Sequence, residues 1–441
     1  MIELKRMGYK LVDFESFNSL AKQSRILPKR LCLPGQNVSW RIGKESYQLP
    51  FSNKIRERLA LLGMLCKKYH DAVEDLFFHD TEFRKKVNMY REKSFLDNFN
   101  RAKDLSSGNI FYRPDLVITE DSQFKIAEID ALPGELGVHS FLLNAYGSSV
   151  NKIVQSFEDV LKKFQLSQSI DFVIDSIISE DEYVAEYTYL ASCLSRSDIT
   201  MRIYNINEYS GPEREGVLVY RFFDMVRNNQ VQIHTILDRI KETKSYLYPP
   251  IKHYLEEKFS LSCVHDKNVE TIFLRHFTNE ELSLFRDLLP KVHYLDKQSR
   301  LIFPPIQYNG SSVVNFSDLA LLAPNIPYVL KTSAFSDQFS TSKGAILLEG
   351  LSKEQINSLL EEHINKFDEH FILQEKITPL IVGVQVVDSN GINQEVRGFS
   401  RLTPFYFVQK RKIALVSSHI VIREKNFDVH FASDSVVIPA Y

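Results

Sequence analysis

The sequence predicts an α/β or α+β sheet architecture, and three observations carry that reading. Short apolar strand signals of the buried type alternate with amphipathic helical stretches over most of the 441 residues. Hydrophobic content is 44% and charged content 25%, which suits a globular chain with a sizeable core. No apolar run approaches the ~18–20 residues that a membrane span needs.

Residues 1–105 read as a mainly helical region. Its first residues, MIELKRMGYKLVDFE, place charges where a signal peptide needs an apolar run. Lys54 to Phe78 carries Ile55, Leu59, Leu62, Cys66, Tyr69 and Val73 at helical spacing. A charged stretch, Arg91 to Asp104, leads to the first strong strands, FYRPDLVI (111–118) and FKIAEI (124–129), joined by a turn at Glu120-Asp121-Ser122. Residues 106–300 then read as a sheet core with an α/β substrate lobe. That lobe has an amphipathic helix from Asn151 to Gln165 and strands at 171–178, 200–206 and 217–223. Thr278 with Glu281 forms a capping box ahead of Leu282, Phe285 and Leu288. Residues 301–377 read as a lid lobe: strand PYVLK (327–331), a polar Ser-rich loop (332–344), strand AILLE (345–349), a helix from Ser352 to Phe367 and strand FILQEKI (371–377). Residues 378–441 supply the closing strands, IVGVQVV (381–387) and IALVSSHIVIR (413–423).

A formal net charge of −2 gives no global field toward nucleic acid or anionic membrane, so neither is an expected partner. Cys32, Cys66, Cys193 and Cys263 are far apart and form no CxxC pair, which argues against zinc and disulfide frameworks and fits a reducing cytoplasm.

The chemistry concentrates between Arg113 and Gly137, in RPDLVITEDSQFKIAEIDALPGELG. Alternation puts Arg113 and Asp115 on one face of the first strand, and Glu128 and Asp130 on one face of the second. In a regular hairpin centred between Asp121 and Ser122, Asp115 faces Glu128 and Arg113 faces Asp130; a bulge would break that arithmetic. Carboxylates opposed across strands repel and call for a cation. Mg²⁺ takes a few carboxylates and keeps its other positions for water and phosphates, so Asp115, Glu128 and Asp130 suit Mg²⁺ carried by a nucleotide. Arg113 could then neutralise a transferring phosphoryl group. The same residues also suit an exposed sheet face with solvated charges and one Arg–Asp pair.

Three further segments belong with this patch. Lys331 ends an apolar strand before the loop TSAFSDQFSTSKG, where an ammonium suits phosphate oxygens and the loop could close over them. Gln374 and Lys376 share one face of FILQEKI, Leu373 and Glu375 the other; such a strand could offer main-chain groups to adenine and a carboxylate to ribose. VRGFSRLTPF carries Arg397 and Arg401 four residues apart and could present guanidiniums to anions.

In chain order, YRPDL, AEIDALPG, LEEKFSLSCVHD, YVLKTS, FILQEKITPLIVGVQVV and VRGFSRLTPF resemble the blocks of the circularly permuted ATP-grasp ligases, in particular the glutathionylspermidine synthetase-like group. The resemblance covers roughly residues 110–440. It implies an ATP-grasp-type fold with ATP and Mg²⁺ as cofactors, and Asp115, Glu128 and Asp130 as metal ligands. It further implies Lys258 and Lys331 on the ATP phosphates and Gln374, Glu375, Lys376 and Ile377 as the adenine hinge. Arg113 and Arg397 would be the catalytic arginines, Arg397 steadying an acyl-phosphate. Asp130 stands where the group has Asn, and the loop after Lys331 lacks the group's Gly-rich pattern.

The implied reaction joins a small-molecule or peptide carboxylate to an amine through an acyl-phosphate. Two other classes stay open: a nucleotide-binding regulatory protein that keeps the fold without catalysis, and an ATP-dependent phosphotransferase whose phosphorylated product leaves without meeting an amine.

Overall fold

The structure, a computed structural model, describes residues 6–10, 41–43, 45–47, 53–105, 111–119, 123–145, 151–175, 180–223, 225, 228–308, 310–333, 345–366, 369–388, 393–409, 412–423 and 436–439. The turn at Glu120-Asp121-Ser122, the loop from residue 334 to 344, Cys32 and residues 428–435 of the closing segment lie outside the described residues.

The N-terminal part supplies short strands β1 (Arg6–Lys10), β2 (Arg41–Gly43) and β3 (Glu45–Tyr47), then helices α1 (Asn53–His79), α2 (Thr81–Asn88) and α3 (Lys93–Ala102). The hairpin β4 (Phe111–Ile118) and β5 (Phe124–Asp130) follows, with α4 (Leu136–Ala145) and α5 (Lys152–Lys163) behind it. Next come β6 (Ser169–Ile174), α6 (Glu180–Ser195), β7 (Thr200–Asn205), β8 (Leu218–Phe222), α7 (Gln230–Glu242) and β9 (Tyr246–Tyr248). These four strands form a parallel sheet in the order β7-β6-β8-β9; the inner strands β6 and β8 are buried throughout, which explains their largely apolar sequences, while the edge strand β7 is partly exposed. Helix α8 (Asn279–Leu288) begins at Thr278 with the expected capping box.

A six-stranded antiparallel sheet follows, from β10 (Val292–Asp296), β11 (Leu301–Tyr308), β12 (Ser311–Asn315), β13 (Tyr328–Thr332), β14 (Ala345–Leu347) and β15 (Phe371–Glu375). Its order is β12-β11-β10-β15-β13-β14, and α9 (Lys353–Lys366) packs into its core. This sheet takes in β10, which lies ahead of residue 301.

Strands β16 (Ile381–Asp388), β17 (Asn393–Gln409), β18 (Lys412–Arg423) and β19 (Val436–Pro439) complete the sheet that holds the first hairpin. Its order is β16-β2-β19-β18-β17-β4-β5, with β16 also paired to β17, so five strands close on themselves and β4-β5 extend from the closure. The long β17 changes partner along its length: residues 393–399 pair with β16, and residues 401–407 with β4. Helix α1 lies against this sheet, where Leu59, Leu62, Cys66, Tyr69 and Val73 join Tyr112 and Tyr406 in the largest buried cluster. No helix among the described residues is long and apolar enough to cross a membrane.

Candidate active site

The hairpin places Asp115 opposite Glu128 and Arg113 opposite Asp130, the same pairs as the regular hairpin of the sequence arithmetic, although the hairpin is not regular. It reaches that register through a bulge. Nearer the turn, Leu116 faces Ile126 and Val117 faces Lys125, one residue out of step. The bulge falls at Ala127 and changes which side each residue faces. Phe124 and Ile126 are buried before it and Ile129 after it. Strict alternation would have put Glu128 and Asp130 on the core face with Ile126; the extra residue turns both carboxylates outward.

Arg113 lies at the centre of the patch. Its Nε donates to Asp115 Oδ1 at 3.0 Å, Nη2 lies 3.4 Å from Asp130 Oδ2, and Nη1 donates to Glu135 Oε2 at 3.2 Å. Burial opposes its charge, but the surrounding carboxylates hold its pKa well above the ordinary arginine value. The other oxygen of Asp115, Oδ2, accepts from Arg401 Nη1 at 2.8 Å. Asp115 thus has both oxygens engaged by arginines.

Lys258 Nζ stands 2.9 Å from Glu128 Oε1. It arrives on the segment that follows the carboxyl end of β9, and that segment is tightly held. Glu257 accepts from Arg91 Nη2 at 2.5 Å and from Ser333 Oγ at 2.8 Å, while Lys258 N donates to Ser333 O at 2.9 Å. Lys331, on β13, donates to Gln374 Oε1 at 2.5 Å, and Gln374 Nε2 donates to the bulge carbonyl Ala127 O at 3.0 Å. One glutamine therefore joins the lysine sheet to the carboxylate sheet.

Burial raises the pKa of Glu128, but Lys258 and Lys331, the hydrogen bond from Lys258 and the charge of Arg113 outweigh it and hold the carboxyl down to about 2. Asp130 is pushed up to about 6, by burial first and by Glu128 and Asp115, against the pull of Arg113 and the hydrogen bond from Leu132 N. Two carboxylates two residues apart with opposed shifts mark a place that would welcome another cation.

The residues fit Mg²⁺ through Glu128 and Asp130. Both line a recess of about 20 Å³ with Lys258 and Tyr69, room for a water-sized group. Asp115 does not line it. A second group with metal-binding residue types, Glu135, His139 and His419, is fully buried. There His419 Nδ1 meets His139 Nε2 at 2.7 Å, a hydrogen-bond contact that needs a proton between the rings.

The remaining hinge residues face elsewhere. Glu375, Lys376 and Ile377, with Thr119, Lys125, Pro290 and Thr378, line an open recess of about 460 Å³. Glu375 Oε2 accepts from Lys291 N at 3.2 Å, and Lys376 pairs with Glu349. Arg397 is not brought to the patch. It pairs with Glu395 at 2.6 Å, and its side chain is 71% exposed. Four residues along a strand span roughly 13 Å, so Arg397 falls beside β16 while Arg401 falls beside β4. Sequence reasoning missed Glu135, His139 and His419. Nothing marks PGELGVH as special, and His419 lies far along the chain.

No family model matches the sequence, and no curated protein matches it either. Among solved structures, the chain is similar to a glutathione synthetase-like effector from Globodera pallida in its apo form, with a TM-score of 0.57 at 12% identity over 97% of this chain and 95% of that one. A candidate γ-glutamylcysteine synthetase from Methylobacillus flagellatus KT aligns at TM-score 0.40 and 13% identity, over 80% of this chain and 84% of that one, and carries no argument at that score. The architecture is thus a mixed α/β fold shared with the glutathione synthetase-like effector, in keeping with the α/β class that the sequence predicts.

Proposed function

We propose that the protein binds Mg·ATP at the junction of the β5 edge with the six-stranded sheet and uses it to join a carboxylate to an amine. The observation that carries the reading is the meeting of outward-turned Glu128 and Asp130 with Lys258 and, through Gln374, with Lys331. The order of the chain, carboxylate hairpin before lysine sheet, supports a permuted, glutathionylspermidine synthetase-like arrangement. In this reading Glu128 and Asp130 hold Mg²⁺, which would neutralise phosphate charge. Lys258 and Lys331 meet phosphate oxygens, and the recess beside Glu375–Ile377 is where the base would lie. Arg113 and Arg401, both held by Asp115, face the transferring phosphoryl group; Arg401 takes the part that the resemblance gave to Arg397. A substrate carboxylate oxygen would attack the γ-phosphorus and expel ADP. An amine nitrogen would then displace phosphate from the acyl carbon and lose a proton. The residues supply position and electrostatics, with no covalent step of their own.

Calorimetry with ATP, with and without excess Mg²⁺, tests the binding, and ADP release against a panel of carboxylates and amines tests the reaction. Mg²⁺-dependent ATP binding is expected, and its absence would overturn the reading. ATP turnover that leaves a stable phospho-product without any amine would instead identify a phosphotransferase.

A further inference from the structure

Glu135 lies on the far side of Arg113 from the lysines. It follows β5 by five residues with φ +71°, a left-handed backbone that residues other than glycine adopt rarely and at a cost. Its buried carboxylate faces Arg113 Nη1 at 3.2 Å and His419 Nε2 at 3.8 Å. His419 Nδ1 in turn meets His139 Nε2 at 2.7 Å, and His139 Nδ1 meets Ser417 Oγ at 2.6 Å.

Both rings are fully buried, and burial with repulsion from His419 keeps His139 neutral. A neutral imidazole has one donor and one acceptor. One polarity suits the row: the Ser417 hydroxyl donates to His139 Nδ1, His139 Nε2–H donates to His419 Nδ1, and His419 Nε2–H is turned toward Glu135 at 3.8 Å, an electrostatic contact longer than a hydrogen bond. The reverse polarity would aim a lone pair at a carboxylate. A dication among these three residues would meet the Arg113 guanidinium, already 3.2 Å from the Glu135 carboxylate, so the row is a buried, neutral support behind that carboxylate and not a metal centre.

Arg113 carries one positive charge among three carboxylates, and its contact with Asp130 is the longest of the three, at 3.4 Å. We propose that Glu135, backed by the His419–His139 pair, is a positioning residue: it holds the guanidinium from behind and leaves Asp130 free for a divalent cation. This rests on the reading of Glu128 and Asp130 as Mg²⁺ ligands. With Glu135 neutralised, Arg113 closes on Asp130 and competes with the cation there.

The test is a Mg²⁺ titration at fixed ADP on the full chain, followed by calorimetry or a fluorescent ADP analogue. Glu135→Gln keeps the shape and removes the charge. Loss of an outer partner of a metal site typically costs 10–100-fold in metal affinity, so the Mg²⁺ concentration for half-saturation should rise at least about tenfold. ADP affinity at saturating Mg²⁺ should change far less. His419→Leu keeps the Glu135 charge but removes its backing, and should shift the Mg²⁺ requirement in the same direction by a smaller factor. It also serves as the readout if Glu135→Gln does not fold. A wild-type chain with no Mg²⁺-dependent nucleotide binding would take down the functional reading and this inference together. Normal wild-type binding with an unchanged Mg²⁺ requirement in both variants would take down this inference alone. So would equal losses of Mg²⁺ and ADP affinity, which a merely structural role produces.

Discussion

At the scale of single residues, the site turns on which arginine of β17 reaches Asp115. The sequence offers Arg397 and Arg401 on one strand face, and nothing in their neighbours separates them. The structure separates them by partner strand: Arg401 is opposite Val117 of β4, while Arg397 is opposite Gly383 of β16. Arg401 is 11% exposed and bonded to a buried carboxylate, whereas Arg397 pairs with Glu395 in solvent. An exposed pair of that kind is worth little. A buried donor aimed at developing charge is typically worth about 10²–10³ in rate. Arg401→Ala should therefore lower kcat for ADP formation at least about a hundredfold, and Arg397→Ala should stay within about threefold of wild type. Arg401→Lys, which keeps the charge but loses the planar fork, should fall between them. The three variants belong in one assay, with ATP affinity measured beside kcat. Loss of activity in Arg397→Ala alone would show that this segment is arranged differently during catalysis.

At the scale of elements, the β4–β5 hairpin shows how much could be read ahead and where reading stopped. Strand identity and length were legible, because alternating apolar residues fix which strands pair. The Arg113–Asp130 and Asp115–Glu128 pairings hold only because the bulge offsets a turn centred half a residue earlier than the regular hairpin assumes. The bulge at Ala127 was not legible, since one extra residue leaves no compositional trace; it surfaces as burial spaced three apart, Ile126 to Ile129, where two was expected. The lysine strand, the hinge strand and the α8 capping box were likewise local signals. The joining of Lys331 to Ala127 through Gln374 depends on how two sheets meet, which no local window contains. Helix α1 shows the same limit. Its apolar periodicity gives a helix but not its seat on β17, which depends on Gly63. A Cβ there would stand 2.6 Å from Tyr406 Cε1. The ring cannot yield, being stacked on Tyr112 at 5.4 Å between centroids, with its hydroxyl donating to Leu59 O at 2.7 Å. Gly63→Ala gains about 1 kcal/mol of helix propensity. Overpacking costs about 1–3 kcal/mol, and so close a contact belongs at the upper end. The variant should be less stable by about 1–2 kcal/mol in urea unfolding; a more stable variant would mean that α1 rides further from the sheet.

At the scale of the whole molecule, the three larger sheets meet around a core that encloses histidines as neutral groups, and this makes stability depend on pH. His70, on α1, is held down to about 3 by burial first and then by Lys252 and Lys67. His253, at the carboxyl end of the parallel sheet, is held down to about 3 by burial, with Arg91 and Lys103 adding to it. The unfolded chain titrates these groups near 6.5. Between 6.5 and about 3 the unfolded state therefore binds more protons than the folded one, and stability falls as pH falls. Each pH unit in that window costs about 1.4 kcal/mol per group, so at pH 5 the two together remove roughly 4 kcal/mol. That is a large part of the 5–15 kcal/mol typical of a folded domain. Urea unfolding at pH 7, 6 and 5 should show a midpoint that drops steadily below pH 6.5, with the slope m unchanged. The two histidines differ in a way that separates them. His253 Nε2 is bonded to Asn88 Oδ1 at 3.1 Å, so replacing it strands a half-buried amide. Among the described residues neither ring nitrogen of His70 has a hydrogen-bond partner, and the ring lies edge-on to Tyr112 at 5.2 Å. Phenylalanine keeps that aromatic contact and removes a polar group that gains nothing from burial. His70→Phe should thus hold or raise stability at pH 7 and reduce the loss between pH 7 and pH 5 by about 2 kcal/mol, one histidine's share of the proton linkage. An acid slope identical to wild type would show that His70 takes up its proton within the folded state, and that α1 opens to water well above the pH at which the rest of the core gives way.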